Sequence, residues 1–319
     1  MSKIIIITGQ TATGKTEQAL ALAAHENGEL LNCDSRQIYI HLDLISGKDL
    51  VEHNFQKKTQ KGFFSIGYYT YQICQDNTHS IIPLWLYDII TPKDFFSSFD
   101  YQNCALDLIK NIIERGKTPI IVGGTYFYLY HLLYTVNSEN IKPDWKLREK
   151  LGAMSLVELQ EELKYLHAEL FSQLNESEQQ NPQRLIRKIE IVISNKDYVQ
   201  KKLQDSITLP EKLNMTDIEI EYTGLRFKNR EIEYNSIQAR VDKRMKEGAV
   251  EEVEKILSLG FTENDPGMKT IGYQQMIQYL KGSLTKTQML EQWVTKEMQY
   301  AKRQYTFMKK DLNIQWKEI

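Results

Sequence analysis

Ile4-Ile5-Ile6-Ile7-Thr8-Gly9-Gln10-Thr11-Ala12-Thr13-Gly14-Lys15-Thr16 is the stretch on which the fold turns. Its four isoleucines are the β-branched run that a strand buried on both faces needs, and the run stops at a glycine. From Gly9 the chain satisfies the spacing G-x-x-x-x-G-K-[ST]. Ala19, Leu20, Leu22 and Ala23 then predict a helix to about His25. Strand, glycine-rich loop and helix together make a phosphate cradle. Glycines let backbone N–H groups close around phosphate oxygens, and the helix N-terminus adds partial positive charge. Lys15 supplies a full charge, and Thr16 can place its hydroxyl on a magnesium ion bridging the same phosphates.

Working outward, residues 29–33 read as a second strand running into Asp34-Ser35-Arg36-Gln37-Ile38-Tyr39. Residues 50–82 read as an irregular excursion. Residues 85–90 and 118–122 are further strand candidates, with a helix over 101–115 between them and Gly116 at its stop. This alternation predicts an α/β fold resembling the P-loop NTPases, a parallel sheet with helices on both faces. Ligands would sit at the carboxyl ends of its strands, where Gly9 to Thr16, Asp34 and Gly123-Gly124-Thr125 all fall.

Strand signals fade over 132–207, which reads as an inserted all-helical domain within a core of 1–131 plus 208–319. Leu156, Leu159, Leu163, Leu166 and Leu170 form one stripe there, opened by a Ser155/Glu158 capping box. A second helix opens at Asn181 with Pro182 in its first turn and Leu185, Ile189 and Val192 inward. Residues 218–227 return as a strand, followed by helices over 237–259, 270–281 and 285–310.

The 319 residues carry 41% hydrophobic and 26% charged side chains and a net charge of −2. This excludes a disordered chain and any global field that would attract a polyanion, so nucleic-acid contacts must come from local patches. Cys33, Cys74 and Cys104 form neither a disulfide framework nor a zinc ribbon. With no signal-peptide core and no membrane-length apolar run, a cytoplasmic protein that does not engage membranes is expected.

Asp34 reads either as a turn aspartate or as a carboxylate that accepts a proton beside the phosphates. Asp88 either organises magnesium or ends a strand. Arg240 and Arg244, four apart on one helix face, either clamp a pyrophosphate or form surface salt bridges. Arg184, Arg187 and Lys188 share one polar helix face, and Gln299, Lys302, Arg303, Thr306 and Lys310 another. Two such faces in a phosphate-binding protein make nucleic acid a serious option. Up to this point the residues do not choose a reaction.

Taken in order, the motifs resemble those of the tRNA dimethylallyltransferases, also called tRNA isopentenyltransferases. The family loop G-P-T-A-S-G-K-T is matched by Gly9 to Thr16, with Gln10 in place of proline. D-S-x-x-x-Y is matched by Asp34 to Tyr39, and G-G-T by Gly123 to Thr125. Asn181-Pro182-Gln183-Arg184-Leu185-Ile186-Arg187, Ile271-Gly272-Tyr273 and Ala301-Lys302-Arg303-Gln304 match its later motifs. The resemblance implies transfer of the dimethylallyl group of dimethylallyl diphosphate to N6 of adenosine-37 beside the tRNA anticodon, with Mg2+ as cofactor. It also implies roles. Gly9, Gln10, Thr11, Ala12, Thr13, Gly14, Lys15 and Thr16 would hold the diphosphate. Arg240 would take up leaving-group charge, Thr11 would stand near the scissile oxygen, and Asp34 would accept the N6 proton. Asp34, Ser35, Arg36, Gln37, Thr125, Arg148, Gln183, Arg184, Leu185, Ile186, Arg187, Lys269, Thr270, Ile271, Gly272, Tyr273, Gln274, Gln299, Lys302 and Arg303 would meet tRNA. The departures are Met298 where the family carries arginine, Ile45-Ser46-Gly47-Lys48-Asp49 in place of G-T-A-K-P, and Leu84 in place of a histidine. A monomer is expected. The rival reading is a small-molecule kinase using ATP at the same loop.

Overall fold

The computed structural model describes residues 2–48, 56–61, 64–75, 78–136, 141–195 and 206–319. Along the chain run β1 (Ser2–Gly9), α1 (Lys15–His25), β2 (Gly28–Asn32), β3 (Gln56–Lys61), β4 (Phe64–Gln75), β5 (Thr78–Trp85), α2 (Ser98–Glu114), β6 (Thr118–Val122) and α3 (Tyr126–Leu133). Next come α4 (Trp145–Gly152), α5 (Leu156–Gln173), α6 (Glu176–Gln179), α7 (Pro182–Ser194) and α8 (Leu209–Leu213). The chain finishes with β7 (Ile218–Arg226), α9 (Arg230–Lys246), α10 (Ala249–Ser258), α11 (Tyr273–Leu280), α12 (Lys286–Met308) and β8 (Gln315–Glu318). Two compact units result, 1–132 with 208–319, and 133–207. Among the described residues no helix is long and apolar enough to cross a membrane.

The larger unit is built on an eight-stranded sheet in the order β3-β4-β5-β2-β6-β1-β7-β8. From β5 to β8 every neighbouring pair is parallel. The isoleucine run explains why β1 lies centrally: Ile4 to Ile7 are all at most 2% exposed, as a strand covered on both faces requires. Ile5 and Ile7 pack with Leu30, Ile120 and Leu225 against Ala19, Leu20 and Ala23 of α1. The opposite face carries Thr8, which donates to Met308 Sδ of α12, and Cys33, which lies beside Tyr101 of α2. Helices therefore cover both faces, and the mostly parallel α/β class expected from the alternation is observed.

Three expectations are corrected. The 50–82 excursion is not irregular where it is described: β3, β4 and β5 extend the sheet by antiparallel pairing, with Tyr69, Tyr71 and Ile73 packed against the α1 core. Residues 50–55, 62–63 and 76–77 of it lie outside the described residues. The strand expected over 85–90 ends at Trp85, because Leu86 and Asp88 take positive φ values of 66° and 51° and turn the chain. The helix expected over 237–259 is two helices. Asn229 opens α9 seven residues earlier by accepting from Ile232 N at 2.9 Å, and Gly248, with φ of 103°, separates α9 from α10.

The smaller unit has its own core, in which Leu159, Leu163 and Leu170 of α5 meet Leu185, Ile189 and Val192 of α7. Both start signals read from sequence are formed: the Ser155/Glu158 capping box opens α5, and the Asn181 side chain accepts from Arg184 N at 3.2 Å.

Candidate active site

The carboxyl ends of β2, β6, β1 and β7 are neighbours in the sheet, so the segments leaving them converge. Gly9 leaves β1 at φ 137°, and a Cβ there would lie 2.1 Å from Leu225 O of β7; only glycine fits. The loop then folds on itself. Thr13 Oγ1 donates to Gln10 O at 2.8 Å, Lys15 Nζ donates to the same carbonyl, and Ala12 takes φ 63°. Burial, with the Arg240 guanidinium nearby, holds the Lys15 ammonium down to about 7, and Asp34 only partly opposes them.

Thr11 is gripped twice from distant helices. Its N–H donates to Gln304 Oε1 of α12 at 2.8 Å, and its hydroxyl accepts from Arg240 of α9. Gln304 Nε2 also donates to Gly124 O at 2.9 Å, tying the loop to the end of β6. Arg240 and Arg244 both reach Gly47, where a Cβ would lie 2.2 Å and 2.1 Å from their terminal nitrogens. Arg244 is 3% exposed, so the surface salt-bridge reading does not describe it.

Asp34 does the work of a turn aspartate with one oxygen: Oδ1 accepts from Arg36 N at 2.9 Å. Asn32 holds the preceding backbone, its Oδ1 accepting from Asp34 N at 3.0 Å and its Nδ2 donating to Leu86 O at 3.0 Å. That anchoring leaves Asp34 Oδ2 as the oxygen able to take a proton. Thr125 Oγ1 accepts from Ser35 N at 3.0 Å, and Tyr300 of α12 stands beside Thr125, Asp34 and Arg36 with its hydroxyl pushed up by burial. Gln37 Nε2 donates to Gly47 O at 2.7 Å. The 43–48 turn is itself suspended from Glu252 of α10, whose carboxylate accepts from Asp43 N, Leu44 N and Ile45 N at 2.8, 2.6 and 3.0 Å. Gln304 in its bracing role, Glu252 and Tyr300 were not singled out by sequence reasoning.

Asp88 is engaged by protein partners. Its two oxygens accept from Lys48 and Tyr69, and Lys48 is 2% exposed, so the carboxylate neutralises a buried ammonium. Among the described residues no group of three or more acidic, histidine or cysteine side chains could hold a metal. Thr16 stands in the first turn of α1, directly after Lys15. A lone hydroxyl without carboxylates suits a magnesium ion that takes most of its ligands from phosphate and water.

The other sequence-derived positions divide by burial. In the smaller unit Gln183 and Arg184 are exposed, Ile186 is partly buried and Leu185 is fully enclosed. Arg148 and Arg187 both donate to Glu190, which is 0% exposed and also accepts from Asp144 N at 2.6 Å. Burial alone would push the Glu190 carboxyl up; the two guanidinium groups and the Asp144 N–H bring it below the ordinary range. In the larger unit Lys269 is exposed and Ile271 partly buried. Thr270 is buried and donates to Gly267 O at 2.7 Å, and Gln274 Nε2 donates to Met268 O at 2.8 Å. Gly272, at φ 94°, packs against Trp293, and Tyr273 is fully buried with its hydroxyl donating to Glu252 at 2.9 Å. Gln299, Lys302 and Arg303 are exposed on α12.

A family model described as IPP transferase matches residues 70–311. The chain belongs to the IPP transferase family. The tRNA dimethylallyltransferase of Thermoanaerobacter sp. (strain X514) is 30% identical over 98% of this chain and 91% of its own length. Among solved structures, the tRNA delta(2)-isopentenylpyrophosphate transferase of Staphylococcus epidermidis is 27% identical, with a TM-score of 0.61 over 100% of this chain and 93% of that one. A eukaryotic dimethylallyltransferase acting on tRNA, 22% identical over 100% of this chain and 74% of that one, has a TM-score of 0.72 and speaks to the fold alone. Membership of the IPP transferase family does not favour the kinase reading of the phosphate loop.

Proposed function

We infer that this chain is a tRNA dimethylallyltransferase, moving the dimethylallyl group of dimethylallyl diphosphate to N6 of adenosine-37 beside the anticodon. The observation that supports the reaction is the meeting of Lys15, Thr11 and Arg240 on one side with Asp34 on the other, beyond the carboxyl ends of β1 and β2, which flank β6 in the sheet. Two cations and a loop of N–H groups suit a leaving diphosphate, and a carboxylate suits the amine that replaces it.

In the transfer, the bond between the allylic carbon and the diphosphate oxygen breaks while that carbon bonds N6. The electron pair of the broken bond leaves with diphosphate, where Lys15 and Arg240 meet the growing charge. Thr11, already bonded to Arg240, would stand at the scissile oxygen. The N6 proton goes to Asp34 Oδ2, because a purine amino group is a weak nucleophile until it shares that proton. Magnesium, held by Thr16 and the phosphates, would supply further neutralisation of the diphosphate. The target adenine must leave its stack to reach these groups, and contacts elsewhere on the RNA offset that cost. Exposed Arg184, Gln183, Lys302, Arg303, Gln299 and Lys269 are the side chains best suited to those contacts. We take the cytoplasm as its compartment and a monomer as its working form.

The test is incubation of the protein with dimethylallyl diphosphate, magnesium and unmodified tRNA, followed by nucleoside mass analysis, beside an ATP-hydrolysis assay. Prenylated adenosine at position 37 without ATP use is the expected result. ATP turnover without prenylation would overturn the reading.

A further inference from the structure

Glu233 and Arg240 lie seven residues apart on α9, close to two turns, so both point from one face, about 10 Å apart along the axis. They grip consecutive residues of the phosphate loop. Arg240 donates to the Thr11 hydroxyl, and Glu233 Oε1 accepts from Gln10 Nε2 at 2.7 Å. Gln10 is 6% exposed, and its other side-chain atom is engaged too, Oε1 accepting from Phe227 N at 3.1 Å just past β7. Its main chain completes the set: the N–H donates to Leu225 O at 3.2 Å, and the carbonyl accepts from Thr13 and Lys15.

Every polar group of this one residue is therefore committed, and the partners come from β7, from α9 and from the loop's own lysine. The amide is the group that fits. A carboxylate would repel Glu233, and an apolar side chain would leave a buried N–H and a half-buried carboxylate unpaired. A proline could serve neither.

We propose that Gln10 is a positioning residue: its side-chain amide locks the phosphate loop to α9 in the register that brings Thr11 and Lys15 against Arg240. It acts on transfer only through those groups and touches no reacting atom. The proposal rests on the prenyl-transfer reading and adds to it the part of the chain that sets the geometry of the leaving-group site.

The experiment is a double-mutant cycle on the full chain with dimethylallyl diphosphate and tRNA. Gln10→Leu should lower kcat about tenfold and raise KM for dimethylallyl diphosphate about threefold, with tRNA affinity unchanged. Glu233→Leu should reproduce that loss, and Glu233→Gln, which keeps an acceptor, should restore most of it. In an Arg240→Gln background, Gln10→Leu should cost less than about twofold more, because the guanidinium against which it sets the loop is gone. A merely structural role would multiply through both backgrounds equally, and that result overturns the proposal. Wild-type kcat in Glu233→Leu also overturns it, and that variant carries the test should Gln10→Leu not fold. Failure of the prenyl-transfer reading would show differently, as no product from the unaltered chain.

Discussion

On the proposed reaction Asp34 and Lys15 divide the chemistry between them, and each carries a prediction. Asp34→Asn keeps the turn, since an amide oxygen can still accept from Arg36 N, but removes the proton acceptor. Single-turnover transfer should fall by about 10²- to 10⁴-fold while tRNA affinity measured by filter binding stays within about twofold. Full transfer in that variant would remove Asp34 from the reaction. Lys15 is held down to about 7, below the ordinary lysine value, so its neutral form is populated near pH 7. A bound diphosphate favours the charged form, so binding there should take up protons. The Lys15 contribution to affinity should weaken as pH rises from 7 toward 9, because more protons must then be drawn from solution. Calorimetry in buffers of different ionisation heat reads the uptake, and Lys15→Met should lack it. These two residues stood out because each lies in a contiguous motif. Glu252 did not, and Gln304 stood in a motif without showing its bracing contact, because their task is to reach loops 207 to 209 and 293 positions away, a pairing that only the folded chain creates.

At the scale of elements, period and cap signals carried most of the reading. Strands β1, β2, β6 and β7 and helices α2, α5, α7 and α12 stand where composition and capping put them, within a few residues. The antiparallel extension was missed although β4 carries aromatic and β-branched residues on both faces, Ile66 and Tyr68 on one and Tyr69, Tyr71 and Ile73 on the other. Its lysine- and glutamine-rich neighbour β3 has no apolar alternation to announce it, as suits an edge strand. Helix α7 shows a distinction within a basic face that spacing does not display. Arg187 was grouped with Arg184 as a residue that would meet tRNA; Arg187 donates to buried Glu190 and to Ile141 O at 3.0 Å, whereas Arg184 is exposed. Arg184→Ala should therefore reduce the slope of log affinity for tRNA against log salt by about one while leaving the unfolding midpoint in urea unchanged. Arg187→Ala should instead lower stability by about 2 kcal/mol, since it strips one of two cations from a carboxylate with no solvent access. Equal effects of the two on both measurements would return them to one class.

For the whole molecule, each of the two units has a core of its own, so damage to one should stay there. Leu163 is fully buried in the α5 and α7 core. Leu163→Ala should cost the smaller unit about 2–5 kcal/mol. Hydrogen exchange should then rise across α4, α5 and α7 and stay unchanged in β1, β6 and α1. Exchange rising equally in both would mean that they unfold as one. A sequence can announce such a division through a change from alternating strand and helix signals to helix alone, because each unit needs a separate apolar surface to bury. It cannot announce how the ends of four strands will be stitched together.

The stitching has a consequence for selectivity. Thr11 N–H is bonded to Gln304, and Lys15 and Arg240 each spend one donor inside the site, on Gln10 O and on Thr11 Oγ1, so both cations are held in place by internal partners while keeping further donors for an anion. An anion gains only the difference between its own contacts and those it displaces. On the proposed reaction, a lone inorganic phosphate, with one phosphoryl group and no tail, would gain less there than a prenyl diphosphate, which brings two phosphoryl groups and an apolar chain. On the proposed reaction, such a site would discriminate against small phosphates and would release its diphosphate product more readily once the hydrocarbon has been handed on.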